Sequence, residues 1–248
     1  MARPLPLNPY AAEPLAVWEA RLHGDGRGEE RFRAFEAVTH LAPRAEAARH
    51  ALRLLNDADA ELRAAACRWL AGSIRRGELA LPFQELSEGL SRCLADADPD
   101  VQFEAVRGLA WLAPESPGLA EVVLRLLDQA EGRTTTLALL VELSGGLPQL
   151  ADRLLERLRQ WLADDDAELR EAVAMTLARW GVHAASAETE LAAALDDEDP
   201  LVREHAAVAL QQLPRLAPAT QAALESAAKD DDPGVAQAAQ TALQRHRS

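Results

Sequence analysis

Apolar residues along most of this chain recur with the three-and-four spacing of an amphipathic helix. The runs are cut at near-regular intervals by short acidic turns. Residues 57–70 read DADAELRAAACRWL, 96–109 DADPDVQFEAVRGL, 164–177 DDDAELREAVAMTL, 197–210 DEDPLVREHAAVAL and 230–243 DDDPGVAQAAQTAL. Aligned on the aliphatic residue before the arginine position, a register mark falls on Leu62, Val101, Leu169, Val202 and Val235. The last two steps are 33 residues each, and the step from Val101 to Leu169 is 68, twice 34. A period of that size marks a repeat array. One degenerate copy therefore stands in the gap: TLALLVEL, Thr136–Leu143, helical and apolar, with its mark at Thr135 and no acidic turn.

Each copy predicts a helical pair. A Leu-rich first helix, such as ELSEGLSRCLAD or QLADRLLERLRQWLAD, precedes the turn. The last aspartate of the turn (Asp59, Asp98, Asp166, Asp199 or Asp232) stands where it caps the second helix. There a carboxylate accepts free backbone N–H bonds and faces the positive end of the helix dipole, worth about 1 kcal/mol. Pro99, Pro200 and Pro233 follow at the first helical position, where a missing N–H costs nothing. The second helix buries positions 0, +3, +4, +7, +8 and +11 from the mark; in the fifth pair these are Leu169, Ala172, Val173, Thr176, Leu177 and Trp180. Small residues at +3 and +4 let helices approach closely.

The unit D-x-D-x-x-[VL]-R-x-x-A after a Leu-rich helix resembles the HEAT-repeat family, including the HEAT-like repeats of bilin lyases, over about residues 44–247. The resemblance implies an all-α α-solenoid, a right-handed superhelix of about seven helical pairs near 11–42, 44–78, 82–114, 116–145, 147–181, 184–214 and 217–247. It makes 11–42 a capping pair continuous with the array at 44–247, after an extended segment at 1–10. It also implies a ladder between an aspartate and the arginine six residues on: Asp57 with Arg63, Asp164 with Arg170, Asp197 with Arg203. Asp96 faces Gln102 and Asp230 faces Ala236, so the ladder is expected to break at the third copy and at the C-terminal end.

Composition narrows the chemistry. Hydrophobic residues make up 48% of the 248 and charged residues 27%, enough apolar material for a core. The net charge of −14 opposes both nucleic-acid phosphates and an anionic membrane surface. Lys229 is the one lysine beside twenty-five arginines, the mark of a GC-rich, bacterial genome rather than of selection for the guanidinium fork. Cys67 and Cys93 read as buried reduced thiols. The first residues lack a signal-peptide core, and no run reaches the length of a membrane span, so the expected location is the cytoplasm.

Catalytic motifs are not found. Lys229 follows ESAA rather than a glycine-rich loop, and H-E-x-x-H, C-x-x-C and G-x-S-x-G do not occur. DADPDVQFEAVR at 96–107 begins like a calcium loop, but Val101 stands where glycine turns the chain and Arg107 where a bidentate glutamate closes the site. Among HEAT-like enzymes, the deoxyhypusine hydroxylases bind iron through His-Glu dipeptides, which this chain lacks. The HEAT-like DNA glycosylases need a basic groove, against the charge here; the bilin lyases have diffuse motifs and stay open. His205, at +3, reads as a hydrogen-bonded core histidine. The histidines are scattered, none paired with another at i+3 or i+4, and neither a metal nor a cofactor is expected.

The remaining positions of the second helices, +1, +2, +5, +6, +9 and +10, are expected to line a concave binding surface. Most are small or charged. The third copy instead carries Phe103, Val106, Arg107 and Trp111, the fourth Leu137 and Val141, the fifth Met175 beside Glu171 and Arg179, and the sixth Val208. Together they read as an apolar patch with arginine at its edge, the composition of a protein-binding hot spot; the competing reading of Val106 and Leu137 is core. Arg63, Arg68, Arg75 and Arg76 add either a basic rim or a solvated face. The expectation is a non-enzymatic scaffold, a monomer, holding a segment of another protein. The alternatives are a HEAT-like enzyme or chromophore lyase, which needs histidines or carboxylates converging from separate repeats, and an acidic inhibitor or immunity-type binder of a basic protein.

Overall fold

The computed structural model describes residues 9–79, 81–129, 137, 139, 140 and 151–247. Within them the chain is helical, and no strand occurs among the described residues. Two compact units divide it, Met1–Val122 and Val123–Ser248.

The first unit holds three helical pairs. These are α1 (Leu15–Leu22) with α2 (Gly28–Leu41), α3 (Arg44–Leu54) with α4 (Ala60–Arg75), and α5 (Phe83–Cys93) with α6 (Pro99–Leu112). The division falls inside α7 (Leu119–Gln129). The second unit contains α8 (Ala151–Trp161) with α9 (Ala167–Trp180), then α10 (Glu188–Ala193) with α11 (Pro200–Gln212), and α12 (Pro218–Ala227) with α13 (Pro233–Arg247). Of the fourth pair's second-helix segment only residues 137, 139 and 140 are described; Thr135 and Val141 lie outside the described residues.

Second helices pack on second helices: α2 on α4 and α4 on α6 in the first unit, α9 on α11 and α11 on α13 in the second. Each also packs on its own first helix. Leu169, Ala172, Val173, Thr176, Leu177 and Trp180 are all buried. Burying a large aliphatic side chain stabilises by about 1.5–3 kcal/mol, so such stripes dominate the stability of each unit. At +7 of α6, Gly108 leaves no room for a methyl group: a Cβ there would lie 2.8 Å from Leu90 Cδ1 on α5.

Two features depart from the regular pattern. The sixth pair's first helix is only α10, flanked by 3-10 turns at Gly181–Ala187 and Ala194–Asp196. Gly181, at φ +57°, stops α9 immediately and leads straight into the 3-10 turn, with no loop in which a longer helix could start. Position +5 is core rather than surface in four marked copies, where Cys67, Val106, Ala174 and Ala207 are buried; on the last helix, which has no second helix after it, Gln240 is exposed. A second helix has its own first helix on one side and neighbouring second helices on both flanks, so the exposed strip narrows to residues four apart.

At the N-terminus, Tyr10 packs edge-on against Trp18 with ring centroids 6.1 Å apart, and Trp18 Nε1 donates to the Tyr10 carbonyl at 3.1 Å. Cys67 and Cys93 are buried free thiols. Their mutual hydrogen bond, together with burial, raises the Cys67 thiol far above its ordinary value.

Candidate functional site

The acidic turns have a division of labour. The last aspartate caps: Asp59 accepts from Glu61 N at 2.9 Å, Asp98 from Asp100 N at 2.9 Å, Asp166 from Glu168 N at 2.8 Å, Asp199 from Leu201 N at 2.8 Å, and Asp232 from Gly234 N at 2.8 Å. The aspartate two residues earlier turns its carboxylate to the arginine of the preceding pair. Arg170 Nε and Nη2 donate to Asp197 at 2.7 and 2.8 Å, and Arg203 makes the same fork to Asp230 at 2.8 and 2.9 Å. The remaining Nη1 reaches back to the carbonyl of its own pair's aspartate, Arg170 to Asp164 and Arg203 to Asp197. In the first unit Arg63 joins Asp96 to Asp57 in the same way.

This corrects the ladder read from sequence. The arginine takes the aspartate six residues earlier by its main chain only; its carboxylate partner belongs to the next pair. Asp96 and Asp230 therefore both have arginine partners. Gln102 donates to the Asp96 carbonyl in the arginine's place. One further rung escapes the motif: Arg31 of α2 forks onto Asp57 and donates Nε to the Leu22 carbonyl at 3.0 Å.

These rungs fix the register of the strip left exposed. With the α2 mark at Glu30, before Arg31, the +2 row of the first unit is Phe32, Ala64 (itself buried) and Phe103, the +6 row Glu36, Arg68 and Arg107, and the +10 row His40, Gly72 and Trp111. Phe103 and Arg107 are half-buried, and Trp111 is 43% exposed. Below them Glu104, only 4% exposed, accepts from Arg68 Nε at 2.6 Å and Arg107 Nη1 at 2.9 Å. A buried carboxylate without such partners would be costly, so both guanidiniums are held in place over the strip. Beside it lies a groove of about 370 Å³ lined by Phe32, Ala64 and Arg68 and rimmed by Glu61, Asp98 and Asp100.

The remaining candidates fall in the second unit. Met175 and Val208 are half-buried and Arg179 is exposed, on α9 and α11; Leu137 is half-buried; Val141 lies outside the described residues. The expected patch is thus divided between the units. Val106 is fully buried and belongs to the core. The basic rim is also reassigned: Arg63 is a ladder rung, Arg68 is tied to Glu104, and Arg76 pairs with Glu78 at 3.0 Å. His205 is half-buried, its Nδ1 2.8 Å from the Leu201 carbonyl, so it is not a core residue.

Sequence reasoning misses one convergence. His23 and His50, 27 positions apart, meet with Nε2 and Nδ1 at 2.8 Å, and Glu19 and Glu46 lie beside them. The signal available is two Glu-x-x-x-His pairs, Glu19/His23 and Glu46/His50, each one helical turn long.

HEAT repeats match residues 48–143 and 153–244, and the chain belongs to the HEAT-repeat family. No curated protein sequence matches it. Among solved structures, an engineered protein superimposes with a TM-score of 0.62 at 21% identity, covering 94% of this chain and 68% of that one. A second engineered protein gives 0.57 at 22% identity, covering 81% and 96%. Computationally designed armadillo repeat proteins for modular peptide recognition give 0.53 at 20% identity, covering 79% and 98%. These likenesses establish the repeat fold.

Proposed function

We propose that the protein is a non-enzymatic scaffold that binds a segment of another protein on the second-helix strip of its first unit. The observation that carries this reading is Trp111, a large aromatic left 43% exposed at the end of the +10 row, beside a +6 row whose arginines pair with the buried Glu104. Exposed aromatic area beside held arginines is the make-up of an interface anchor. A pre-set side chain also loses little freedom on binding.

The strip defines the partner's chemistry. Phe103 and Trp111 suit apolar side chains. Glu61, Asp98 and Asp100 at the groove's rim suit a lysine or arginine nearby. A segment alternating apolar and basic residues satisfies both. The designed armadillo relatives are named for peptide recognition, which fits a repeat face used in this manner.

The test is capture from the native host by the tagged chain, compared with the F103A/W111A variant. Loss of the captured protein with unchanged helical circular dichroism supports the face; unfolding of the variant assigns both side chains to the core.

A further inference from the structure

Glu19 lies on α1 and His23 caps its C-terminal end; Glu46 and His50 lie on α3. The two helices come from different pairs, yet they bring four potential donors together. His50 Nε2 is 3.0 Å from Glu19 Oε1, and one donor atom from each of Glu19, Glu46 and His50 lies within 4.8 Å of the others. On its far side, His50 Nδ1 meets His23 Nε2 at 2.8 Å, the two rings stacked with centroids 5.1 Å apart. His50 is only 7% exposed, so its ring orientation is set by packing. The cluster opens into a cleft of about 360 Å³.

We propose that Glu19, Glu46 and His50 bind one divalent transition-metal ion of the zinc type, with His23 as the partner that orients His50. Glu46 is the residue that separates this from a purely structural cluster. It is half-buried beside Glu19, and its carboxylate makes no hydrogen bond or ion pair with another side chain among the described residues. Two carboxylates left side by side repel; a cation between them turns that repulsion into attraction.

The donor set selects the ion. An imidazole with two carboxylates suits zinc and its neighbours, at ligand distances of about 2.0–2.2 Å, whereas magnesium and calcium take oxygen donors alone. Donor atoms within 4.8 Å of one another need only small side-chain rotations to close on such an ion. Coordination through Nε2 places the remaining ring proton of His50 on Nδ1, where it donates to Nε2 of His23. That is the outer partner a metal-bound histidine requires. Three protein ligands leave a further position for water or an anion. Arg49 and Arg53 line the same cleft, but both are exposed and screened by solvent.

The test uses the full-length chain, tag-free and stripped with chelator, with zinc titrated by calorimetry and thermal unfolding followed in parallel. The expected result is one zinc per chain and a rise in Tm. In E46Q, affinity falls by about tenfold or more and the Tm rise shrinks accordingly, with circular dichroism unchanged. Magnesium at the same concentration leaves Tm where it was. H183Q, altering an exposed histidine of the second unit, binds as the parent does. Absence of stoichiometric zinc binding overturns the proposal. So does an E46Q variant that binds as tightly as the parent, or an H183Q variant that is weakened as much as E46Q. These residues lie on first helices, so the outcome is independent of the protein-binding strip.

Discussion

Arg63 and Asp96 lie in successive helical pairs, and their side chains meet in a two-bond fork, Nε to Oδ2 and Nη2 to Oδ1, both 2.8 Å. The third arm of the same guanidinium, Nη1, holds the carbonyl of Asp57 at 2.9 Å. One side chain thus ties the turn of its own pair to the turn of the next. The same pattern at Arg170 and Arg203 makes it the recurring fastener within each unit.

Removing one partner leaves the other largely buried, with its backbone hydrogen bond but without its counter-charge. R63M or D96N is expected to lower stability by about 2 kcal/mol each. The double variant should lose clearly less than the two together, because the pair is coupled. Urea unfolding of the three variants measures both quantities. Strict additivity would mean that the fork contributes nothing of its own.

The cap aspartates act through a single acceptor oxygen. D199A is expected to cost about 1 kcal/mol, and D199N only a small fraction of that, since asparagine caps nearly as well. Thermal unfolding of the pair checks this. Equal losses in the two variants would mean that charge, not the acceptor, is what matters at the turn.

The ladder also predicts how acid affects stability. The Arg63 fork and backbone N–H groups hold Asp96 below the usual carboxylate range, and the Arg203 fork does the same for Asp230. At Asp197 burial opposes ionisation, but the Arg170 fork and a backbone N–H outweigh it. Between the folded and unfolded pKa values the unfolded chain binds more protons, so stability increases with pH there. The contribution is complete above the ordinary aspartate value of about 4 and is lost as pH falls through the lower folded values. Denaturant midpoints measured from neutral pH downward should be flat at first and then drop. In R63M/R170M/R203M this acid-dependent loss should be smaller.

Salt separates two modes of partner capture. An interface anchored on Phe103 and Trp111 is expected to weaken only mildly as ionic strength rises. One driven by the net charge of −14 should weaken steeply. Binding measured across a salt series distinguishes them.

The helical pairs are legible in the sequence because burial imposes the helical period and Asp-Pro steps such as those before Pro200 and Pro233 punctuate it. The exposed strip is read too broadly because periodicity shows one buried face, whereas a stacked second helix is covered on three sides; Val106 is the clearest case. The partner of each ladder arginine is hidden because the bond spans successive pairs, as from Arg170 to Asp197. Arg31 is missed because the turn before it, HGDGRGEE, is glycine-rich and places Glu30 where the motif has an aliphatic residue. The Glu19–Glu46–His50 cluster depends on how α1 and α3 meet, which no local pattern encodes.

We propose Trp111 and Phe103 as a binding face rather than core. Capture from host lysate, quantified by mass spectrometry for the parent chain and for F103A/W111A, tests it most directly. The expected result is a protein retained by the parent and lost from a variant that keeps its helical circular dichroism and Tm within a few degrees. Equal retention by both chains would contradict it.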